Sequence, residues 1–555
     1  MVQSLLETIY GAVDRKRVWR RTERLWRLEQ PMTARSRRAV AQYCADQMAA
    51  DGATEVELYE CPADGESEFF GWKAGPNWYA EDATLDLVGP GVRRRIASYR
   101  ELPRSLMTGS AGTPKGGVEA AVVMMDGGAE EKDYRGVDVS GKIILTRARG
   151  SNIASLAAQK GAVGVVSDNQ ATQRELKHMP VMTLPEIGPE QRQPEDAVFW
   201  LHMPGYSTGL FGFGLSPADG EALRAALRKN RRLRLRAKVS ARSKVGTYPV
   251  TTGLVPGRSR RGEQIFVVAH LYEQGANDNA SGCAVALEMA SVLNSLIKRG
   301  KIPQPRRSVR FLLTLEYPGT ACYLHQHRKQ IARTLAGLCL DSVGDDQAQT
   351  YVPFSINLNP SDRPHFSDPL YIWLTRQWLD SRDKTYNWTT VPFHAATDNF
   401  IALEKIGIPC PWIGGQNRLW HTTADVMERL EPRALVHCAT ISAAYCQFLA
   451  AAGPRDARLA LALTERYGLE QVSDRAAEGI SQVMAAGRAR QQALKEALKV
   501  VREERDRSLA RLQTVLDIVE GQPRRRLQAA VSAALQRVRN HSKAQERLLR
   551  GVISA

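Results

Sequence analysis

The 555-residue sequence lacks several features that would assign it to other classes of protein. It has no apolar run of 18 residues, so no transmembrane helix and no membrane partner are expected. Its eight cysteines are scattered and none forms a Cys-x-x-Cys pair. This favours reduced, buried thiols in a cytoplasmic protein over a disulfide framework. Residues 1–7 have no basic segment before their apolar residues and are not expected to be a signal peptide.

Charge of one sign is in excess, at a net +17. Residues 485–555 hold 16 Lys and Arg and 7 Asp and Glu, a net +9, and a second basic cluster spans 15–38. Such clusters can bind nucleic acid. Here acidic residues are interleaved and no nucleic-acid motif accompanies them, so solvated helix faces or packing against a second subunit are expected instead. The apolar faces of the C-terminal helices predict a homo-oligomer or a contact with the rest of the chain.

The most informative stretch is Gly-Ala-Asn-Asp278-Asn-Ala-Ser-Gly, which follows His270 by a short loop. The run Ile-Phe-Val-Val-Ala at 265–269 predicts a buried strand that ends at His270. Apolar residues at helical spacing after Gly282 predict a helix that starts beside Asp278. A strand end and a helix start are rigid supports, so His270 and Asp278 can converge on one point. Converging His and Asp side chains are ligands for a divalent metal, most plausibly zinc.

Three further candidates end apolar elements downstream, namely Glu316, Asp341 and His421. Each alone is most often a core, cap or turn residue. Buried carboxylates are costly unless they are paired or bind metal. Five such groups in one alternating β/α pattern therefore favour a metal site.

These residues lie in blocks that resemble a known family: His270-Leu-Tyr, the Asn-Asp278-Asn block, Leu-Glu316-Tyr-Pro-Gly-Thr, Leu-Asp341-Ser-Val-Gly and His421-Thr-Thr-Ala-Asp425. The blocks resemble the co-catalytic zinc exopeptidases of the bacterial leucyl aminopeptidase type, in a peptidase-like branch. The resemblance implies two zinc ions, or another divalent metal, and a peptide substrate. It implies that His270 and Asp341 bind one ion, Glu316 and His421 the other, and that Asp278 bridges both. Water activated by the two ions would attack the scissile carbonyl.

The sequence departs from the family pattern at the catalytic glutamate. The family has two adjacent glutamates, a general base followed by a metal ligand, and here the pair is Leu315-Glu316. Glu316 is interpreted as the ligand, with the role of catalytic base as the open alternative. The family also has an Asp two residues after the first His, where this chain has Tyr272. Asp398, Asp425 and Tyr272 are candidates for supporting the ligands or contacting substrate, and Asp398 and Asp425 are equally typical of turns and caps.

The expected fold class is α/β, with a mostly parallel sheet and helices on both faces, as in zinc exopeptidases. Four regions are predicted. Residues 1–106 form the N-terminal part of the peptidase-like domain, and 107–205 resemble a protease-associated, β-rich inserted domain. Residues 206–455 form the metallopeptidase catalytic domain, and 456–555 a basic helical extension.

Two functions remain open on the sequence. The first is a zinc-dependent aminopeptidase, a hydrolase that removes N-terminal residues from peptides. The second is a catalytically impaired, peptidase-like scaffold that binds metal but has lost the base. The retained ligand set favours the first, and Leu315 favours the second. A cyclase or amidase on the same scaffold is a weaker third interpretation.

Overall fold

A computed structural model describes residues 2–171 and 192–554 of the chain. Its strands, numbered β1 to β18 in chain order, are Thr54–Ala63, Glu68–Phe69, Trp72–Lys73, Asn77–Gly89, Val92–Ser98, Val118–Ala120, Val122–Met124, Ile143–Thr146, Gly164–Ser167, Phe211–Gly214, Arg234–Lys244, Gly246–Val255, Arg260–Leu271, Arg307–Leu315, Thr334–Leu340, Phe354–Asn357, Trp388–Val391 and Trp412–Ile413. Its α-helices, numbered α1 to α15, are Val2–Tyr10, Arg15–Glu29, Ala34–Ala50, Gly150–Gln159, Gly205–Thr208, Pro217–Lys229, Ala280–Lys298, Pro318–Gln326, Arg328–Ile331, Gln347–Thr350, Ser367–Arg382, Pro432–Ala451, Pro454–Ala485, Arg490–Thr514 and Gly521–Ser554.

The central element is an eight-stranded sheet with the order β1-β12-β14-β13-β15-β18-β16-β17. Its middle strands β14, β13, β15 and β18 run parallel to one another, while β1 and β12 are antiparallel. Helices pack around the sheet, and the C-terminal helices follow it. The predicted α/β class with a mostly parallel sheet is therefore confirmed.

Strand β13 lies in the middle of the sheet, between β14 and β15. Its apolar run is buried on both faces, as is typical of strands in parallel sheets. Its register pairs His270 with Thr314 of β14, and Val268 with Cys339 of β15. The three parallel strands therefore end at one edge of the sheet. Open α/β sheets bind ligands at this carboxyl edge.

Two long helices form the interior on one side of the sheet. Helices α7 and α12 have the length and apolar composition of membrane-spanning segments, but 83% and 94% of their most apolar windows are buried inside the protein. Both contribute to one large apolar core that also includes residues of β13, β14 and β15. Burial on nearly all sides explains why their sequences carry little polar periodicity.

A smaller module lies beside the sheet and consists of two four-stranded sheets. One has the order β10-β9-β8-β7 and is parallel throughout, and the other, β5-β4-β11-β6, is antiparallel in its described pairs. The module extends beyond the predicted segment 107–205, because its strands β4 and β11, which pair with each other antiparallel, lie before and after that segment in the chain. Residues 172–191, part of that segment, lie outside the described residues.

The C-terminal helices α13, α14 and α15 pack against one another and against the rest of the chain. Leu498 and Val501 lie in a cluster among these helices, whereas Leu512 and Val515 join the main core. The apolar faces are thus covered by the chain itself. These apolar faces, from which a second subunit was expected, therefore contact other parts of the same chain.

Candidate metal centre

The predicted ligands meet at the carboxyl edge of the parallel strands. His270 is the penultimate residue of β13, Asp341 follows β15, and Glu316 follows β14. Asp278 lies in the loop just before α7, whose first turn is capped by Asn279 through a hydrogen bond from the Gly282 amide to Asn279 Oδ1 (3.0 Å). These groups are held by strand ends and a capped helix start, so they converge on one cavity with little freedom.

Asp278 lies between the two histidines. Its Oδ1 is 3.4 Å from His270 Nε2, and its Oδ2 is 3.3 Å from His421 Nε2. Asp341 Oδ2 is also 3.4 Å from His270 Nε2. The two oxygens of one carboxylate therefore face two different imidazoles, as expected for a ligand shared by two ions.

Glu273 is a member of the cluster that the sequence analysis missed. Its Oε2 lies 3.1 Å from His421 Nε2, and its side chain is almost fully buried. Ligand atoms of Glu273, Asp278 and His421 lie within 4.8 Å of one another, as do those of His270, Asp278 and Asp341. Its loop position, three residues after His270, matches no family block, so nothing in the sequence pattern distinguished it.

Glu316 joins the cluster from the opposite side. Its carboxylate groups with His270 and Glu273 within 4.8 Å. Among the described residues, no such group combines Glu316 with His421. The structure thus places Glu316 beside the site without the His421 contact that the family resemblance implied.

The loops that carry the site turn through left-handed backbone conformations. Tyr272, Tyr317, Ser342 and His421 have φ values of 75°, 55°, 59° and 58°. Each is a ligand or lies within two residues of one. Non-glycine residues adopt this region at an energetic cost, and such strain clusters at functional sites.

Asp425 holds the loop that carries Asp278. Its Oδ1 accepts a hydrogen bond from the Asn277 amide (2.8 Å), and its Oδ2 accepts one from the Asp278 amide (3.1 Å). Asp425 Oδ2 also lies against Gly275, where an added Cβ would be 2.1 Å from it, so a side chain at position 275 would not fit. Asp425 therefore orients the Asp278 loop through its backbone.

Asp398 and Tyr272 lie behind the site. The fully buried Asp398 accepts a hydrogen bond from the Tyr317 amide through Oδ1 (3.0 Å), which fixes the turn directly after Glu316. Tyr272 does not line the cavity: its hydroxyl donates to the Pro249 carbonyl, and its ring lies in the main core. The expectation that Tyr272 could contact substrate is corrected, because its left-handed backbone turns the side chain inward and the next residue, Glu273, toward the site.

Electrostatics in the metal-free cluster favour proton sharing between acids and bases. Burial opposes protonation of His421, but the adjacent Glu273 and Asp278 carboxylates raise its pKa to about 9. Burial raises the pKa of Glu316 well above its usual range, and the carboxylates of Glu273, Asp398 and Asp341 raise it further, against the opposing effect of His270. Burial would raise the pKa of Asp278, yet His421 and His270 hold it below its usual value. A bound cation would replace the protons on the two histidines.

The cluster forms the floor of a cavity of about 310 Å³. Both modules line it. The smaller module contributes Arg149, Ser151 and the segment Phe199–His202. The part of the chain built on the eight-stranded sheet contributes Tyr317, Trp420 and the cluster of candidate ligands. The smaller module also binds the His421 loop, since the Trp200 amide donates to the His421 carbonyl (2.6 Å). A small peptide segment fits a polar floor with aromatic walls of this size.

The residues present fit a divalent metal. Asp278 Oδ1 is buried and has no hydrogen-bond partner among the described residues. A bound cation would compensate the charge of this oxygen. Zinc bonds of about 2.1 Å in a tetrahedral arrangement place ligand atoms roughly 3.4 Å apart. The observed separations of 3.1–3.4 Å around His270 and His421 agree with that value. Nitrogen and carboxylate oxygen donors are the set that zinc accepts at catalytic sites.

The sequence is similar to that of a bacterial aminopeptidase. The chain is 25% identical over 258 residues to the aminopeptidase YwaD of Bacillus subtilis (strain 168), an alignment that covers 42% of this chain and 50% of that protein. The chain thus spans half the length of the curated relative it matches.

Solved structures match over more of the chain. The zinc aminopeptidase BSAP from Bacillus subtilis superposes with a TM-score of 0.53 and 19% identity, covering 78% of this chain and 94% of that one. A Peptidase M28 precursor from Shewanella amazonensis SB2B superposes with a TM-score of 0.57 and 16% identity, covering 81% and 97%. At these identities the likeness establishes the fold.

The model of Peptidase family M28 matches residues 251–446. His270, Glu273, Asp278, Glu316, Asp341 and His421 all lie within that range. The part of the chain that builds the metal centre is therefore similar to Peptidase family M28.

Proposed function

We propose that this protein is a metal-dependent exopeptidase, a hydrolase that removes N-terminal residues from peptides. The observation that carries the proposal is that the two oxygens of Asp278 face His270 and His421 at 3.4 and 3.3 Å. This arrangement suits two divalent ions that share one carboxylate. The similarity to Peptidase family M28 and to aminopeptidases of Bacillus subtilis supports it.

Zinc is the metal proposed, with His270, Asp278, Asp341 and His421 as ligands. When bound, two such ions polarise a scissile carbonyl and lower the pKa of a water molecule between them. The chain itself supplies the cavity that orients the peptide and a half-buried carboxylate, Glu316, at its wall. That carboxylate can take a proton from the attacking water and return it to the departing amine.

The alternative of a catalytically impaired scaffold rests on the single glutamate at positions 315–316. It is not favoured, because a second buried carboxylate, Glu273, lies in the same cluster. The site therefore holds two glutamates, one available as a ligand and one as a base, although they come from different loops.

The smaller module is proposed to limit access in the manner of a protease-associated domain. Its Phe199–His202 segment lines the cavity and its backbone binds the His421 loop. A wall close to the metal centre favours substrates whose chain ends in the cavity. This supports an exopeptidase over an endopeptidase.

The test is metal content measured together with release of free amino acids. The purified protein is loaded with zinc, dialysed, and analysed for zinc per chain. It is then incubated with a mixed pool of short peptides, with and without N-terminal acetylation. Two zinc ions per chain, with release of N-terminal residues from free but not acetylated peptides, is the expected result. Metal binding without release from any peptide contradicts the proposed activity.

A further inference from the structure

We propose that Glu273, rather than Glu316, is the carboxylate that holds the second metal ion together with Asp278 and His421. This inference rests on the proposed two-metal site. It assigns a ligand from a loop that the family resemblance does not use, and it gives Glu316 a different role.

The position of Glu273 supports the assignment. Among the residues that the structure describes, its Oε2 is the nearest carboxylate oxygen to His421 Nε2, at 3.1 Å against 3.3 Å for Asp278 Oδ2. Although the two atoms are close, Glu273 Oε2 makes no aligned hydrogen bond within the described parts of the chain. A buried carboxylate oxygen that lies close to a histidine nitrogen without an aligned hydrogen bond points to a shared third position, where a cation fits.

Glu316 lacks the corresponding relationship. It comes within ligand distance of His270 and Glu273, but it shares no group with Asp278 and His421 in the described residues. Glu316 is partly exposed as a residue, while Glu273 is 6% exposed. Of the two glutamates, Glu316 is therefore the more accessible to solvent.

The backbone explains how Glu273 reaches the site. Strand β13 ends at Leu271, and Tyr272 then adopts φ 75°. The Tyr272 amide donates to Glu29 Oε1 (2.6 Å), and the buried ring anchors the turn in the core. Because Tyr272 is fixed in this way, the chain turns at the end of β13 and the Glu273 side chain lies beside His421.

The consequence for hydrolysis is a separation of two roles. Glu273 would remain ionised as a ligand. Glu316 would accept one proton from the attacking water as the new C–O bond forms. It would pass that proton to the amine nitrogen as the C–N bond breaks, so that the carboxylate is regenerated and no other reactant is needed.

Paired substitutions test the assignment, with zinc content as the first readout and peptide hydrolysis as the second. Glu273→Gln and Glu316→Gln are matched, because each removes one charge from the same cavity at constant size. Glu273→Gln is expected to retain about one zinc ion of two after dialysis. Glu316→Gln is expected to retain both and to lose about a hundredfold or more in kcat.

Controls separate folding from metal binding. Glu428→Gln changes an exposed glutamate and should keep both ions and full rate. Glu273→Asp keeps a carboxylate and should hold more zinc than Glu273→Gln, while circular dichroism verifies that every variant is folded. A folded Glu273→Gln protein with both ions overturns the assignment, as does loss of one ion from Glu316→Gln.

The outcome also distinguishes this inference from the proposed function. Wild-type protein that binds two zinc ions but hydrolyses no peptide rejects the exopeptidase, yet the zinc content of the two variants still decides which glutamate is the ligand. Wild-type protein that binds no divalent ion rejects both.

Discussion

Glu273 Oε2 and His421 Nε2 lie 3.1 Å apart although 148 positions separate them in the chain, and both side chains line the same cavity. Glu273 comes from the loop after a central strand, and His421 from a loop held by the smaller module. Their meeting joins the two halves of the metal centre.

Removing the bridging carboxylate should empty the centre. Asp278→Ala deletes the carboxylate whose two oxygens face His270 and His421, so both proposed ions lose a ligand. We expect less than half an ion per chain after dialysis, measured by elemental analysis. Asp138→Ala, an exposed change in the smaller module, is the control and should keep the wild-type zinc content. Unchanged zinc in Asp278→Ala would contradict the bridging role.

Loss of Asp425 should loosen the Asp278 loop. Asp425→Ala leaves the amides of Asn277 and Asp278 without their acceptor, and each unpaired buried donor costs about 1–3 kcal/mol. We expect a lower free energy of unfolding and weaker zinc affinity, measured by denaturant titration and by competition with a chelator. Asp425→Asn keeps one acceptor and should fall between wild type and alanine. Equal affinities in all three proteins would show that the loop is held by other contacts.

The aromatic wall should affect substrate binding without affecting the metal. Trp200 lines the cavity, and its ring is 5.1 Å from that of His421. Trp200→Ala removes apolar contact worth about 1.5–3 kcal/mol, so KM for peptides should rise roughly tenfold or more at constant zinc content. Tyr206→Ala, at an exposed position of the same module, should leave KM unchanged. A loss of zinc in Trp200→Ala would instead give Trp200 a role in holding the His421 loop.

The C-terminal helices should be needed for the stability of the sheet domain. The fully buried Arg307 of β14 donates through Nη2 to the Ile518 carbonyl (2.6 Å), and Leu512, Val515 and Ile518 lie in the main core. Deleting 456–555 exposes these core contacts, at about 1.5–3 kcal/mol for each large aliphatic side chain. We expect a lower melting temperature and aggregation, measured by calorimetry and light scattering. Asp474→Asn, an exposed change in the same helices, should have no effect, and a truncated chain as stable as the full chain would contradict this dependence.

Acidification should destabilise the protein partly through His365. This buried ring contacts Ser367, and burial, with the nearby Arg511, lowers its pKa to about 3. The unfolded chain binds a proton below pH 6.5 that the folded ring does not, so stability is complete above that pH and is lost as the pH falls toward 3.

The contribution can be measured with His365→Asn, which keeps an acceptor for the Ser367 amide. Between pH 7 and pH 5 the wild-type protein should lose about 2 kcal/mol more unfolding free energy than the variant, because one pKa unit corresponds to about 1.4 kcal/mol. Chemical denaturation at several pH values gives both curves. Parallel curves would show that His365 titrates alike in the folded and unfolded states.

Much of the metal centre could be predicted from the sequence because its ligands follow regular elements. His270 is the penultimate residue of an apolar strand, Glu316 and Asp341 come directly after two others, and parallel strands end at the same edge. Asp278 lies beside a capped helix start with a specific block of residues around it. Local pattern and general rules of α/β sheets are sufficient to bring these four together.

Tertiary structure alone decided which glutamate faces His421. Glu273 follows a residue with a left-handed backbone, in a loop without periodicity, and its direction depends on the anchoring of Tyr272 by Glu29 and the core. The cavity wall likewise depends on Trp200, which the fold brings to the His421 loop across more than 200 positions. The sequence determined the strands, the helices and most of the ligands, because burial and periodicity are local properties of the chain. The tertiary structure determined the complete cluster of candidate ligands and the cavity, because the direction of a loop side chain depends on packing between distant segments.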